Sequence, residues 1–139
     1  MMKSVFSLLV LLHCCSTYNV NPSLNGEIIR GLEALNKLYT DKKVNITPPV
    51  VHGPKMVTST HPSFCVSAFA AELKHLLHNV TILKENKTVL ENLEGNLRYL
   101  DRHLQNNPKC QMAPVQKAGK KPFQPYINFF RQLNYSKKI

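Results

Sequence analysis

Leu90-Glu91-Asn92-Leu93-Glu94-Gly95-Asn96-Leu97-Arg98-Tyr99-Leu100-Asp101-Arg102-His103-Leu104 sets its leucines at steps of three, four, three and four residues. Steps of three and four return to one face of a helix with 3.6 residues per turn, the period of a packed helical seam. Thr88 with Glu91 three residues later has the pattern of a capping box. Asn107-Pro108 stops the run, because the residue before proline is pushed out of the helical region. The spacing therefore predicts a helix over 88–106.

Three further stripes flank it. Phe69, Leu73, Leu76, Leu77 and Val80 follow His61-Pro62, with Ser63 as candidate cap, and predict a helix over 64–81. Ile28, Ile29, Leu32, Leu35, Leu38 and Tyr39 predict one over 25–42. There Ser23 or Asn25 can cap the start, Glu27 suits the positive end, and Lys42 and Lys43 suit the negative end. Phe123, Tyr126, Ile127, Phe130 and Leu133, with Phe129 beside them, predict a short helix over 124–135, whose Pro125 is tolerated only in a first turn. In chain order these are α1 (25–42), α2 (64–81), α3 (88–106) and α4 (124–135).

The connections are unequal. About 20 residues separate α1 from α2, about 6 separate α2 from α3, and about 16 separate α3 from α4; only the middle one suits an ordinary helix hairpin. The two long ones can each run back along a helix of about 27 Å, since an extended residue reaches about 3.3 Å. The layout predicts an all-α fold, a short-chain four-helix bundle with up-up-down-down topology and two long crossover loops. Cys65 opens α2 and Cys110 follows α3. If those helices are antiparallel neighbours the two ends meet, and a bond would stabilise the fold by about 4 kcal/mol in the loop-entropy model. A pair of intermolecular bonds in a dimer stays open at this point.

Lys3, the apolar run Val5 to Leu12 and the small residues Cys14, Cys15, Ser16 and Thr17 have the charged-apolar-small layout of a secretory signal peptide. The run is too short to span a bilayer. Residues 1–17 are read as the leader and 18–139 as one exported domain, with no membrane insertion expected. Asn45, Asn79, Asn86 and Asn134 each begin an Asn-x-Ser/Thr sequon and are candidate glycosylation sites. Pro48 just beyond Thr47 makes Asn45 the weakest of these acceptors, and Asn21 is excluded by Pro22.

Lys and Arg number 18 against 8 Asp and Glu, a formal charge of +10, while 43% of residues are apolar, enough to build a core. Lys117, Lys120, Lys121, Arg131, Lys137 and Lys138 concentrate toward the C-terminal third. Nucleic acid is not an expected partner of an exported chain without a binding motif. Simple solubility is the first reading of this charge, and a polyanionic glycosaminoglycan is the alternative partner. No nucleophile motif, Gly-rich phosphate loop or CxxC occurs, so no enzymatic function and no cofactor are expected. His75 and His78 are three apart on α2 but lack an obvious third ligand, so no metal site is expected either.

Several segments together resemble the interleukin-4/interleukin-13 family: Glu27-Ile28-Ile29-x-x-Leu32-x-x-Leu35, Phe64-Cys65-Val66-Ser67-Ala68, Leu97 to Leu104 with Cys110 beyond, and Asn128-Phe129-Phe130-Arg131-Gln132-Leu133. The resemblance covers the four helices and the single cysteine pair. It implies a secreted cytokine that bridges receptor chains and signals in immune cells through a Janus kinase/STAT pathway as a monomer. In that family a glutamate early in the first helix and an arginine late in the third dominate contact with the receptor alpha chain. The matching positions are Glu27 and Arg102; Arg98 and Asp101 match flanking contacts, and His103 stands where the family has an asparagine. Only one disulfide can form here where mammalian members have three, and the match in α4 ends early, which leaves the second receptor chain open. An interleukin-5-like disulfide-linked dimer and a basic glycosaminoglycan-binding host-defence protein are the alternatives.

Overall fold

The computed structural model describes residues 22–48, 52–57, 59–101, 107–117 and 120–137. Residues 1–17, expected from the sequence to be a leader, and Arg102 and His103 lie outside these residues. Four helices form: α1 Pro22–Thr40, α2 Val66–His78, α3 Lys87–Asp101 and α4 Gln124–Lys137. The expectation of a purely α chain is only partly met. The chain is mostly helical, but its connections carry strands β1 Val44–Ile46, β2 His52–Met56, β3 Val80–Ile82 and β4 Met112–Lys117. β1 pairs with β3 and β2 with β4, each antiparallel, in two two-stranded sheets. The physical reason is backbone satisfaction: long connections lying against the core cannot leave their N–H and C=O groups unpaired.

The helix boundaries move for identifiable reasons. α1 starts at Pro22, whose fixed φ suits a first turn and whose missing N–H costs nothing there. Asn25, expected as a cap, is therefore inside the helix and fully buried. α1 ends in a Schellman motif: the Lys43 N–H donates to the Leu38 carbonyl (2.8 Å), the Lys42 N–H donates to the Tyr39 carbonyl (3.1 Å), and Lys42 has φ 61°. α2 is preceded by a 3-10 turn, Pro62–Cys65, in which His61 Nδ1 accepts from the Ser63 N–H, so Ser63 is not the cap. α2 stops at His78 because Val80 to Ile82 is taken into the ladder with β1. α3 begins one residue before Thr88, which puts Thr88 inside the helix, and Glu91 faces Lys87 at 4.0 Å instead of completing a capping box.

One apolar core joins all four helices, through Ile28, Leu32 and Leu35 of α1, Phe69 and Leu73 of α2, Leu93, Leu97 and Leu100 of α3, and Ile127, Phe130 and Leu133 of α4. The predicted stripes supply these residues. Phe129, expected beside the stripe, is also buried: its ring stacks on Phe69 (centroids 3.9 Å, 7° between planes), while Tyr126 meets Phe69 edge-on at 6.3 Å. α1 packs on α3 and α4, and α2 packs on the same two helices. At Gly31 α3 lies close against α1, since a Cβ there would stand 3.4 Å from Leu93 Cδ1.

The ends of the elements meet in a definite pattern. β1 follows α1 and β3 follows α2, so their pairing brings the ends of these helices to the start of α3. The buried Asn36 Oδ1 near the end of α1 accepts the Phe123 N–H at the start of α4 (3.1 Å). At the other end of the same seam Asn25 Nδ2 donates to Asn134 Oδ1 (3.0 Å). Cys65, ahead of α2, is bonded to Cys110, beyond α3. An Asx turn leads into Cys110: the Lys109 N–H donates to Asn107 Oδ1, and the Cys110 N–H to the Asn107 carbonyl. The disulfide is thus within one chain and uses both cysteines of residues 18–139.

Candidate functional site

The expected receptor-contact residues fall at the ends of two neighbouring helices. Glu27 lies in the second turn of α1 and is 54% exposed; it forms an ion pair with Arg30 one turn later. Arg98 is exposed in the last turn of α3, and Asp101 is the last residue of that helix. Arg102 and His103 lie outside the described residues. Gly31 against Leu93 fixes the level at which α1 and α3 cross. One turn before Gly31 is Glu27 and one turn after Leu93 is Leu97, so Glu27 and Arg98 belong to the same end of the molecule. It is the end of the Cys65–Cys110 bond and is opposite the β1–β3 ladder.

Among the described residues two large aromatic side chains are exposed at this end, Tyr99 on α3 and Tyr135 near the end of α4. Tyr99 beside Arg98 is 55% exposed although its neighbours Leu97 and Leu100 are fully buried. The period of α3 leaves Arg98 and Tyr99 on the outer side as a direct consequence of turning Leu93, Leu97 and Leu100 inward. Nearer the disulfide, Lys109 Nζ stands 5.5 Å over the Phe64 ring. An end carrying a carboxylate, a guanidinium and an exposed phenol can bind another protein through paired charges around an aromatic anchor. The sequence reading did not single out Tyr99; its position between two stripe leucines is the signal that marks it as exposed.

Those basic residues of the C-terminal third whose side chains are described, Lys120, Lys121 and Arg131, are not one patch. Lys120 and Lys121 are exposed ahead of α4, whereas Arg131 is engaged with Glu33 of α1 (2.8 Å) and Lys137 closes α4. The end carrying Lys120 and Lys121 also receives Lys42, Lys43, Lys84 and Lys87, all exposed, with Asp41 and Glu85 among them. His75 and His78 are exposed on α2, and among the described residues no three His, Cys, Asp or Glu side chains are grouped to hold a metal. Among those residues, too, no helix is long and apolar enough to cross a membrane.

Of the four sequons, Asn45 is exposed on β1, while Asn79, Asn86 and Asn134 are half-buried. Burial, reinforced by the charge of Glu72, pushes the Tyr126 phenol far above its ordinary range. Comparison with protein-family models, with curated proteins and with solved structures finds no match to this chain.

Proposed function

We propose that the chain is a secreted cytokine of the interleukin-4/13 type, a short-chain four-helix bundle with up-up-down-down topology. In this reading it engages an interleukin-4-type receptor alpha chain through Glu27, Arg98, Asp101, Arg102 and His103, recruits a second receptor chain, and signals through Janus kinase/STAT. One observation supports it most: the ends of α1 and α2 gather with the starts of α3 and α4, through the β1–β3 ladder and the Asn36–Phe123 hydrogen bond. That pattern is the one two crossover loops produce, and it puts the opposite-signed Glu27 and Arg98 at one end. The intrachain Cys65–Cys110 bond leaves no cysteine of residues 18–139 for the interleukin-5-like linked dimer.

The test is binding of the secreted chain to the same species' receptor alpha ectodomain, beside Glu27→Ala, Arg98→Ala and Arg102→Ala. Removing a desolvated charged partner costs about 2–5 kcal/mol, against less than about 1 kcal/mol for an exposed ion pair that only decorates the surface. Tight binding that all three variants retain discards the site, and no binding by a folded sample discards the family.

A second reading, sulfated-glycosaminoglycan binding, is favoured by the gathering of Lys42, Lys43, Lys84, Lys87, Lys120 and Lys121 at one end. It predicts heparin retention that falls steeply with salt and drops when these lysines become glutamine. Retention equal to that of a variant altered only at Lys55 and Lys109 rejects it.

A further inference from the structure

We propose that N-linked sugar chains cover the end of the molecule built by β1 and β3, through Asn45 and Asn79, and that Asn134 stays unmodified because its side chain ties α4 to α1. This rests on export of the chain and not on its receptor. In sequence only Asn45 of the four sequons is set apart, by Pro48 after its tripeptide. In the fold, two of them run antiparallel beside each other: Asn45 is opposite Thr81, Ile46 is opposite Val80, and the Thr47 N–H donates to the Asn79 carbonyl (3.0 Å). The middle residues turn inward, Ile46 being buried and Val80 packed against the core. Asn45, Thr47 and Thr81 are exposed. Strand alternation puts Asn45 and Thr47 on one outer face. The Asn86 tripeptide begins on the adjoining 3-10 turn, at the same end.

Asn134 is in a different situation. It lies within α4, so its tripeptide is helical where that of Asn45 begins in a strand. Its Oδ1 accepts from Asn25 Nδ2, and Asn25 is fully buried on α1. With that contact made, the half-buried Asn134 side chain is held against α1 and is less open as an acceptor than the exposed Asn45. Pro48 after Thr47 made Asn45 the weakest acceptor on sequence grounds; its exposure on the outer face of β1 reverses that order.

The chemistry is a group transfer from a lipid-diphosphate-linked oligosaccharide in the secretory pathway. The asparagine Nδ2 forms a bond to C1 of the first N-acetylglucosamine, the bond from C1 to the diphosphate oxygen breaks, the lipid diphosphate leaves, and the amide gives up one proton. No electrons are exchanged. Sugars so placed are about 20 Å from Glu27, the rise of α1 from Glu27 to Thr40, so they leave the Glu27–Arg98 end open to a protein partner. They also stand among Lys84 and Lys87 and compete with a sulfated polysaccharide for that surface.

The experiment expresses the full chain in animal cells and releases the glycans from the secreted protein with an amidase in heavy-oxygen water. The amidase leaves labelled aspartate at each occupied site, which peptide mass mapping then locates. Label is expected at 45 and 79 and not at 134. Asn45→Gln and Asn79→Gln each remove one sugar chain's mass and leave secretion intact. Ser136→Ala destroys the Asn134 sequon without touching Asn134, and is expected to leave the glycan mass and melting temperature unchanged, whereas Asn134→Gln lowers the melting temperature. Label at 134 in folded secreted protein, a Ser136→Ala chain lighter by one glycan, or an unmodified chain overturns the proposal. A chain glycosylated as described that fails to bind the receptor defeats the receptor reading and leaves this inference intact.

Discussion

Asn36→Ala isolates one buried polar contact on which the docking of α4 depends. Asn36 is 7% exposed, and its Oδ1 accepts the Phe123 N–H, one of the donors that the start of a helix leaves without an intrahelical partner. Truncation orphans that N–H in the core beside Phe123, which is itself fully buried. An unsatisfied buried donor costs about 1–3 kcal/mol. Alanine is the better helix former by up to about 0.7 kcal/mol and offsets part of this. The net expectation is a loss of about 1–2 kcal/mol in urea unfolding followed by circular dichroism. The exposed neighbour Lys37, changed to alanine, moves stability by less than about 0.5 kcal/mol. Hydrogen exchange read at the Phe123 amide adds a local measure: its protection is expected to fall in Asn36→Ala by more than the global loss. Asn36→Ala and Lys37→Ala with equal stabilities, or unchanged protection at Phe123, would refute the argument that this hydrogen bond fixes the start of α4.

Phe129→Ala removes the ring stacked on Phe69 and is expected to cost about 3–5 kcal/mol by thermal or urea unfolding, a size that separates it from a surface aromatic. Lys42→Gly relieves a left-handed residue at the end of α1 and is expected to raise stability by up to about 1 kcal/mol, after the greater chain entropy of glycine in the unfolded state is counted; a loss would show that Lys42 makes a contact worth more than its backbone strain. The Tyr126 phenol is held protonated by burial first and by the Glu72 charge second. Because its folded pKa lies above the unfolded value of 10.0, the stability it contributes is complete below pH 10 and is lost as pH rises past it. Urea midpoints are expected to fall between pH 10 and 11 in the parent, and to fall less in Tyr126→Phe.

The helices were legible because their signal is local. Leu93, Leu97 and Leu100 recur with the helical period, and each is buried; Cys65 and Cys110 flank α2 and α3 and are bonded. The strands were not legible, because Val44-Asn45-Ile46 has no period long enough to declare itself and acquires its structure only from Val80-Thr81-Ile82 across the fold. Asn25 and Asn36 were misread or passed over for the same reason. A buried asparagine and a capping asparagine look identical until the acceptor or donor on a distant helix is known. The receptor-contact expectation was carried by the family resemblance: nothing in the residues alone distinguishes Glu27 and Arg98 from an ordinary solvated pair.

By itself the sequence determined four amphipathic helices, two cysteines, Cys65 and Cys110, suited to joining α2 to α3, and a strong basic excess, since periodicity and charge are properties of neighbours along the chain. The tertiary structure alone decided that the long connections pair as two antiparallel ladders, that Asn25 and Asn36 fasten α1 to α4, and that lysines and sequons from separate segments gather at one end. These depend on contacts between residues as far apart as 36 and 123, where hydrogen bonding of buried polar groups, and not local propensity, selects the partner.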